Sequence, residues 1–274
     1  MSLRSIYIIM VTGLLFFTTN IFAAGEVHDG KVSAYLQSSY EDVASVSSKL
    51  SSGGFEVLGK SSISPDLTTV IFTCPTLKKL GNQDKRGFAA VMRVLVDKKD
   101  NQISITNPIY FLKAYLQKSY DEASAKKVLA KINATFSSLK DSKDALKFKD
   151  LAGYHFTFGM PYYEDMDVVA KGSHDTLVSK IKASGNVAFI LTLSANRTLV
   201  GLNLDSKLSS FVNKIGTQNA LVLPYPIFIE GDKAYSLAAK YYLALSYPQL
   251  KMTQFMTIAT VPGKIEKACK KVFK

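Results

Sequence analysis

Three side chains are the strongest candidates for binding a ligand: His155, Tyr110 and Tyr242. His155 alternates with aromatic residues over residues 154–158, and Met160 follows shortly after. A histidine together with a thioether suits copper or haem iron. The alternative is that His155 lies on the polar face of a strand while methionines fill the core. Because no two of these ligand types repeat at close spacing, the cofactor stays unknown.

Tyr110 and Tyr242 occupy corresponding positions in the two halves of the chain, 132 residues apart. A tyrosine combines an apolar ring with a polar hydroxyl, which is useful in a ligand cleft. The alternative role is structural, with each tyrosine anchoring the end of a hairpin to the helices. Both roles stay open, and a cleft between the halves is the default place for a small-molecule ligand.

The sequence holds no familiar catalytic signature. It lacks the Gly-x-Ser-x-Gly and His-Glu-x-x-His patterns, a phosphate loop and a dinucleotide fingerprint. Its histidines are too scattered to predict a zinc site. The densest acidic patch, Glu164, Asp165 and Asp167, is explained as a solvated loop or a weak cation site. We therefore favour a non-enzymatic protein and assign no catalytic residue, while an enzyme of unrecognised type stays an alternative.

The first 24 residues have the three parts of a secretory signal peptide. Arg4 supplies a positive charge, residues 6–17 are mostly apolar, and Ala23 and Ala24 provide small residues for cleavage. The alternative is an uncleaved anchor, if the threonines that follow the apolar run are tolerated in a longer span. Cleavage after Ala23 or Ala24 predicts a periplasmic or secreted bacterial protein.

The chain is basic, with a formal net charge of +12. Removal of the signal peptide takes away only Arg4 and leaves +11. Such a surface favours anionic partners, and for an exported protein these are a membrane surface or an envelope polymer, not nucleic acid. The alternative is that the charge serves solubility alone, because it is spread over many segments.

Two cysteines, Cys74 and Cys269, are candidates for a disulfide in an oxidising compartment. Cys74 ends a strand-like run, and Cys269 shares the apolar face of the last predicted helix with Ile265 and Val272. Buried free cysteines often behave as small apolar residues. The pattern favours free thiols and leaves a bridge open.

The two halves of the chain match without a gap at an offset of 132. Val46 and Ser47 align with Val178 and Ser179, and the apolar positions keep their alternation through the strand-like runs. A slip of one residue would turn an apolar strand face outward, so this phase is unlikely to arise by chance. The sequence predicts a signal peptide (1–24), a first repeat (30–140), a linker (141–161) and a second repeat (162–274).

Each repeat has the pattern of an α+β unit. In the first repeat, a strand over residues 32–38 precedes a helix that begins after Ser39, and strands follow from residue 55. A hairpin turns at Asp100 and Asn101, and an amphipathic helix covers residues 121–139. We expect an antiparallel sheet packed with helices in each repeat, related by a pseudo-two-fold axis. Residues 153–161 predict an extra strand in the linker.

The segment 103–110, Ile-Ser-Ile-Thr-Asn-Pro-Ile-Tyr, together with residues 54–57 and 94–96, resembles the bacterial family called domain of unknown function 302. The resemblance covers residues 32–117, and the second repeat departs from it because Ala239 and Lys240 replace Asn107 and Pro108. The resemblance implies a compact α+β fold with helices on an antiparallel sheet. It implies no established activity.

These observations predict a non-enzymatic periplasmic binding or accessory protein, as a monomer or a homodimer, with a small-molecule ligand between the repeats. The second prediction is a scaffold that acts at the envelope or membrane surface through a basic face. Export argues against a nucleic-acid partner.

Overall fold

The computed structural model of the protein describes residues 23–274. It contains a six-stranded sheet, a five-stranded sheet and a two-stranded ribbon, and every strand pairing is antiparallel. Helices pack on both larger sheets. The predicted fold class, α+β with antiparallel sheets packed with helices, is confirmed.

The first half of the chain builds the six-stranded sheet and its helices. Its elements are β1 (Lys31–Ser33), β2 (Tyr35–Ser39), α1 (Val43–Ser52), β3 (Glu56–Ser64), β4 (Leu67–Thr73), α2 (Pro75–Gly81), β5 (Met92–Asp97), β6 (Gln102–Thr106), α3 (Pro108–Leu116), α4 (Glu122–Thr135), β7 (Lys140–Asp141) and β8 (Ala145–Lys147). A 3-10 turn, Gly87–Ala90, precedes β5.

The second half builds the five-stranded sheet. Its elements are β9 (Asp167–Lys171), α5 (His174–Ala183), β10 (Val187–Ser194), β11 (Arg197–Leu202), α6 (Ser206–Ser209), α7 (Val212–Ile215), β12 (Tyr225–Glu230), β13 (Lys233–Ser236), α8 (Ala239–Ser246), α9 (Met252–Met256) and α10 (Val261–Lys271). A 3-10 segment, Thr217–Val222, precedes β12.

The start of α1 shows how a side chain fixes an element boundary. Asp42 caps the helix, because its Oδ1 accepts from the backbone N–H groups of Ala44 at 2.8 Å and Ser45 at 2.9 Å. These are backbone donors that lack partners inside the helix. The predicted cap, Ser39, is wrong because Ser39 still pairs with Gln102 in the sheet.

The two larger sheets have the same order of corresponding strands. The first runs β3-β4-β5-β6-β2-β7 and the second runs β10-β11-β12-β13-β9. The strands β2 and β9 cover Tyr35–Ser39 and Asp167–Lys171, which differ by the offset of 132 found in the sequence. Apart from the added β7, one strand order describes both halves.

The halves pack against each other reciprocally. The turn Gly87–Ala90 lies on strands of the second sheet, and the segment Thr217–Val222 lies on strands of the first. In the first of these contacts, the rings of Phe88 and Phe228 are 6.0 Å apart between centroids. Reciprocal contacts of this kind are what two units related by a two-fold axis would make.

The predicted extra strand at residues 153–161 is wrong, because this segment consists of turns and irregular backbone. Its aromatic residues alternate in the sequence, but no described strand pairs with the segment, and each aromatic side chain has different surroundings. Tyr154 donates to the carbonyl of Ala244 at 3.2 Å, Phe156 packs on Phe255, and Phe158 is 98% exposed. The strands that do form near the start of the linker are β7, which pairs with β2, and β8, which pairs with β1.

The predicted signal peptide lies almost wholly outside the described residues. At its end, Ala24 and Gly25 already belong to the fold. Asn133 donates to the carbonyl of Ala24 at 3.0 Å, and the N–H of Gly25 donates to Asp141 at 2.8 Å. Among residues 23–274, no helix has both the length and the apolar character needed to cross a membrane.

Candidate functional site

Tyr110 lies in the core between the two halves. Its hydroxyl donates to the carbonyl of Leu245 at 2.8 Å, and the hydroxyl of Tyr35 donates to the next carbonyl, that of Ser246, at 2.7 Å. These are carbonyls of the last turn of α8, which have no partner inside the helix. Burial raises the pKa of Tyr110 well above its ordinary value. The geometry therefore favours the structural role, in which Tyr110 ties the first half to α8.

Tyr242 is also buried, on α8 itself. Its ring meets that of Tyr225 edge-on at 5.6 Å, and its hydroxyl lies near the side chains of Tyr115 and Arg93. Burial raises the pKa of Tyr242, against an opposing effect of the Arg93 charge. Tyr242 thus contacts polar groups of the first half from a position inside the interface.

The open cleft expected between the halves is not found in the described part of the chain. Side chains fill this interface, and the cavity that Tyr242 lines has a volume of only about 10 Å³. The reason is that Tyr110, which was predicted to line a cleft, and the neighbouring Tyr35 are long enough to reach backbone carbonyls of the opposite half. A small molecule of several atoms does not fit there.

His155 lies in the irregular linker segment, partly exposed, with its ring 4.5 Å from that of Tyr162. The structure therefore separates it from Tyr110 and Tyr242, which are buried in the interface. Residues 23–274 contain no group of three or more histidine, cysteine, aspartate or glutamate side chains arranged to hold a metal ion.

Both cysteines are buried free thiols. Burial raises the pKa of Cys269 to about 12, because a thiolate would lose its hydration there. The acidic patch also has a structural explanation. Glu164 forms an ion pair with Arg86 at 2.9 Å, and Asp165 accepts from the N–H of Tyr162 at 2.9 Å.

A groove lined by several lysines lies beside α10, the last helix. Lys264, Lys267 and Lys271 follow each other at helical spacing of three and four residues, so they form one stripe along the helix. The opposite face of α10 buries Ile265 and Cys269 against the sheet. Packing of this apolar face therefore turns the lysine stripe toward the groove.

The other wall of the groove comes from the short helices α6 and α7. They contribute Lys207 and Lys214, while Phe211, Val261 and Ala268 supply apolar surface. The volume of the groove is about 640 Å³. It continues past Ala268 and Lys271 into a second depression of about 470 Å³, whose lining residues include Lys180, Leu202, Leu204, Val272 and Lys274. We call the two together the basic groove.

The lysines of the basic groove form no ion pair with any of the described residues. The one lining carboxylate, Asp205, accepts from the N–H of Leu208 at 2.9 Å and so caps α6. The site therefore combines lysine ammonium groups, which form no ion pair among the described residues, with an apolar surface. This combination suits a ligand with both an anionic and an apolar part.

Sequence reasoning did not find this groove. In the sequence, the positive charge is spread over many segments and does not point to one site. The spacing of Lys264, Lys267 and Lys271 was the available signal. Lys207 and Lys214 come from elements some 50 residues earlier, and their proximity depends on how α10 packs.

An exposed apolar region lies at the linker. Phe158 is 98% exposed, and the neighbouring contact between Phe156 and Phe255 brings this segment to α9. Met252 and Met256 of α9 are 43% and 62% exposed. Singly exposed apolar residues are ordinary, but a phenylalanine with nearly its whole surface in water is unusual.

No protein-family model matches the chain, and no significant match was found among curated proteins or solved structures. The resemblance to domain of unknown function 302 stays a prediction.

Proposed function

We propose that this protein is an exported, non-enzymatic binding or accessory protein whose ligand is an anionic amphiphile held in the basic groove. The observation that carries the proposal is the combination of unpaired lysines with the apolar residues Phe211, Val261 and Ala268 in one groove. Its volume of about 640 Å³ lies in the range typical of ligand sites.

The lysines of the groove favour an anionic group on the ligand, and its apolar side chains favour a hydrocarbon part. A lysine ammonium at a wet surface contributes only about 0.2–1 kcal/mol to an ion pair. Charge alone would therefore give weak and salt-sensitive binding. Burial of apolar surface adds about 0.8 kcal/mol for each CH₂ group. A carboxylate or phosphate headgroup with an attached hydrocarbon chain uses both terms, whereas a simple inorganic anion uses only the first.

The chemistry of the lining residues favours binding over catalysis. General acid–base work needs a group placed to exchange a proton with the substrate. Here Asp205 is engaged as a helix cap, and the lysines act as point charges. Shape and charge suffice for a carrier or accessory role.

The signal-like sequence of residues 1–24 carries the export part of the proposal, and the contacts of Ala24 and Gly25 are compatible with it. Cleavage after Ala23 would preserve both the bond from Asn133 and the bond to Asp141. Mass spectrometry of the N-terminal peptide, from protein expressed with its own leader, tests this point. We expect a chain that begins at Ala24 or Gly25, and an intact leader would contradict export with cleavage.

Calorimetric titration with three probes tests the ligand class. Dodecanoate has a charge and a chain, dodecyl maltoside has a chain without a charge, and inorganic phosphate has a charge without a chain. We expect saturable binding of one dodecanoate per protein, at least tenfold tighter than either of the others. Equal affinity for dodecanoate and dodecyl maltoside, or no binding of dodecanoate, would contradict the proposal.

The exposed Phe158 favours a second candidate function, attachment to an anionic membrane surface. Insertion of a phenylalanine side chain into an apolar phase is worth about 1.5–3 kcal/mol. Met252 and Met256 would add apolar contact, and the excess of lysine would add attraction to anionic lipids.

Vesicle sedimentation separates this candidate from ligand binding. Vesicles with phosphatidylglycerol should retain the protein more than vesicles of phosphatidylcholine alone. Phe158→Ser should then lower binding about tenfold, while Val27→Ser, at another exposed apolar position, should leave it unchanged. No sedimentation with either vesicle would contradict the membrane candidate and leave the ligand proposal standing.

A further inference from the structure

A buried arginine lies between the two halves without a carboxylate partner. Arg93 on β5 is only 4% exposed. Its Nη2 donates to the carbonyl of Pro224 at 3.3 Å, and the hydroxyl of Tyr242 lies nearby. Its Nε has no partner, and Arg93 is absent from the ion pairs of residues 23–274. The guanidinium is therefore a buried positive charge that these residues do not neutralise.

The small cavity beside this arginine is lined by further hydrogen-bonding groups. Arg93, Tyr115, Tyr242 and Ser246 all border it. The hydroxyl of Ser246 is buried and, like Nε of Arg93, has no partner. Two residues that each carry a buried polar group without a partner thus line one cavity. Each such group costs about 1–3 kcal/mol when nothing bonds to it, so an occupant that bonds to both is strongly favoured.

We propose that this cavity binds one monoatomic anion of the size of chloride. A volume of about 10 Å³ is near the minimum for one water molecule, so sulfate and phosphate are excluded and a chloride ion needs a small outward shift of the lining side chains. A guanidinium only donates hydrogen bonds, and serine and tyrosine hydroxyls also donate. A water molecule could satisfy these donors but would leave the charge unbalanced. A buried charge without a counter-charge is far more costly than a buried neutral group, so the anion is preferred.

The anion would link the two halves of the molecule. Arg93 and Tyr115 belong to the first half, whereas Tyr242 and Ser246 lie on α8 of the second. An occupant that bonds to both sides stabilises the folded chain in proportion to its concentration, because the unfolded chain has no such site. This inference does not depend on the basic groove.

Thermal unfolding at constant ionic strength tests the proposal. Sodium sulfate and sodium gluconate are exchanged stepwise for sodium chloride or sodium bromide. We expect Tm to rise saturably with chloride and bromide, by about 2–4 °C, whereas exchange of gluconate for sulfate should change Tm only gradually and without saturation, because sulfate acts by exclusion from the protein surface. A Tm that does not depend on halide would mean that only water occupies the cavity and would overturn the proposal.

A matched pair of variants assigns the effect to this cavity. Ser246→Ala removes one partner of the anion and should raise the chloride concentration at half effect about tenfold. Ser104→Ala removes another buried serine hydroxyl that has no partner but does not line the cavity, and should leave the chloride response unchanged. Equal responses of the two variants would overturn the assignment. Arg93→Met, if it folds, should lose the response to halide.

Discussion

At the scale of one residue, Gly25 is a position near the start of the described chain where the fold strongly favours glycine. Its φ is +94°, a region that favours glycine. A Cβ added there would lie 2.7 Å from Leu129 Cδ1 and 3.1 Å from Leu36 Cδ2. Asn107 also donates to its carbonyl at 3.0 Å. Backbone strain and lack of space therefore act together at this position.

Gly25→Ala should lower the free energy of unfolding by about 2–4 kcal/mol, as the sum of backbone strain and overpacking. Urea unfolding measures the change. The control is Gly153→Ala, because an added Cβ at Gly153 meets nothing within 4 Å. A Gly25→Ala variant as stable as the control would show that these contacts are not formed.

The cysteines give a second prediction at this scale. Cys74 and Cys269 are buried and unpaired, and the raised pKa of Cys269 disfavours its reactive thiolate. A thiol reagent should therefore react with neither cysteine in the native protein near pH 7. In urea without a reductant it should modify both. A requirement for reductant would reveal a disulfide and contradict the structure.

At the scale of elements, most helices and strands follow from residue patterns. Alternating apolar residues predicted the central strands, and Asp100 with Asn101 predicted the β5–β6 hairpin. The predicted strand at residues 153–161 does not form, although aromatic residues alternate there, because no other described strand pairs with it. Sheet formation depends on a neighbour elsewhere in the chain, and a local pattern does not supply it.

Two glycine substitutions with opposite outcomes test the packing of elements. Gly263 lies in α10 with no atom within 4 Å of an added Cβ, so Gly263→Ala should stabilise the protein by about 0.5–1 kcal/mol. Gly59 lies on edge strand β3, where an added Cβ would be 2.3 Å from the backbone oxygen of Ala188 on β10. Gly59→Ala should destabilise the protein by about 1–3 kcal/mol.

Urea unfolding of both variants measures these differences. Opposite signs would support the positions of β3, β10 and α10. Destabilisation by Gly263→Ala would place α10 in closer contact with its surroundings than the structure has it. A neutral Gly59→Ala would mean that the two edge strands are farther apart.

At the scale of the whole molecule, we propose that one ancestral α+β unit was duplicated. The offset of 132 and the shared strand order support this origin, as does the reciprocal packing of Gly87–Ala90 and Thr217–Val222. The sequence could suggest two related units, but it could not show how closely they pack. Tyr110 and Tyr242 were expected around a cleft, and they lie in a filled interface.

The candidate site could not be predicted because it depends on tertiary packing. Its lysines come from α6, α7 and α10, and they meet because Ile265 and Cys269 fix the orientation of α10. Each lysine alone is an ordinary surface residue. Their functional meaning follows from being gathered around Phe211 while no carboxylate in residues 23–274 forms an ion pair with them.

The most direct test of the basic groove compares two triple variants by titration with dodecanoate. Lys264→Glu, Lys267→Glu and Lys271→Glu together reverse the groove stripe. Lys98→Glu, Lys99→Glu and Lys118→Glu make the same change in net charge at exposed positions in the first half. We predict that the groove variant binds dodecanoate at least tenfold more weakly than the wild type, while the control keeps wild-type affinity. Equal affinities of the two variants would contradict a ligand site in the basic groove.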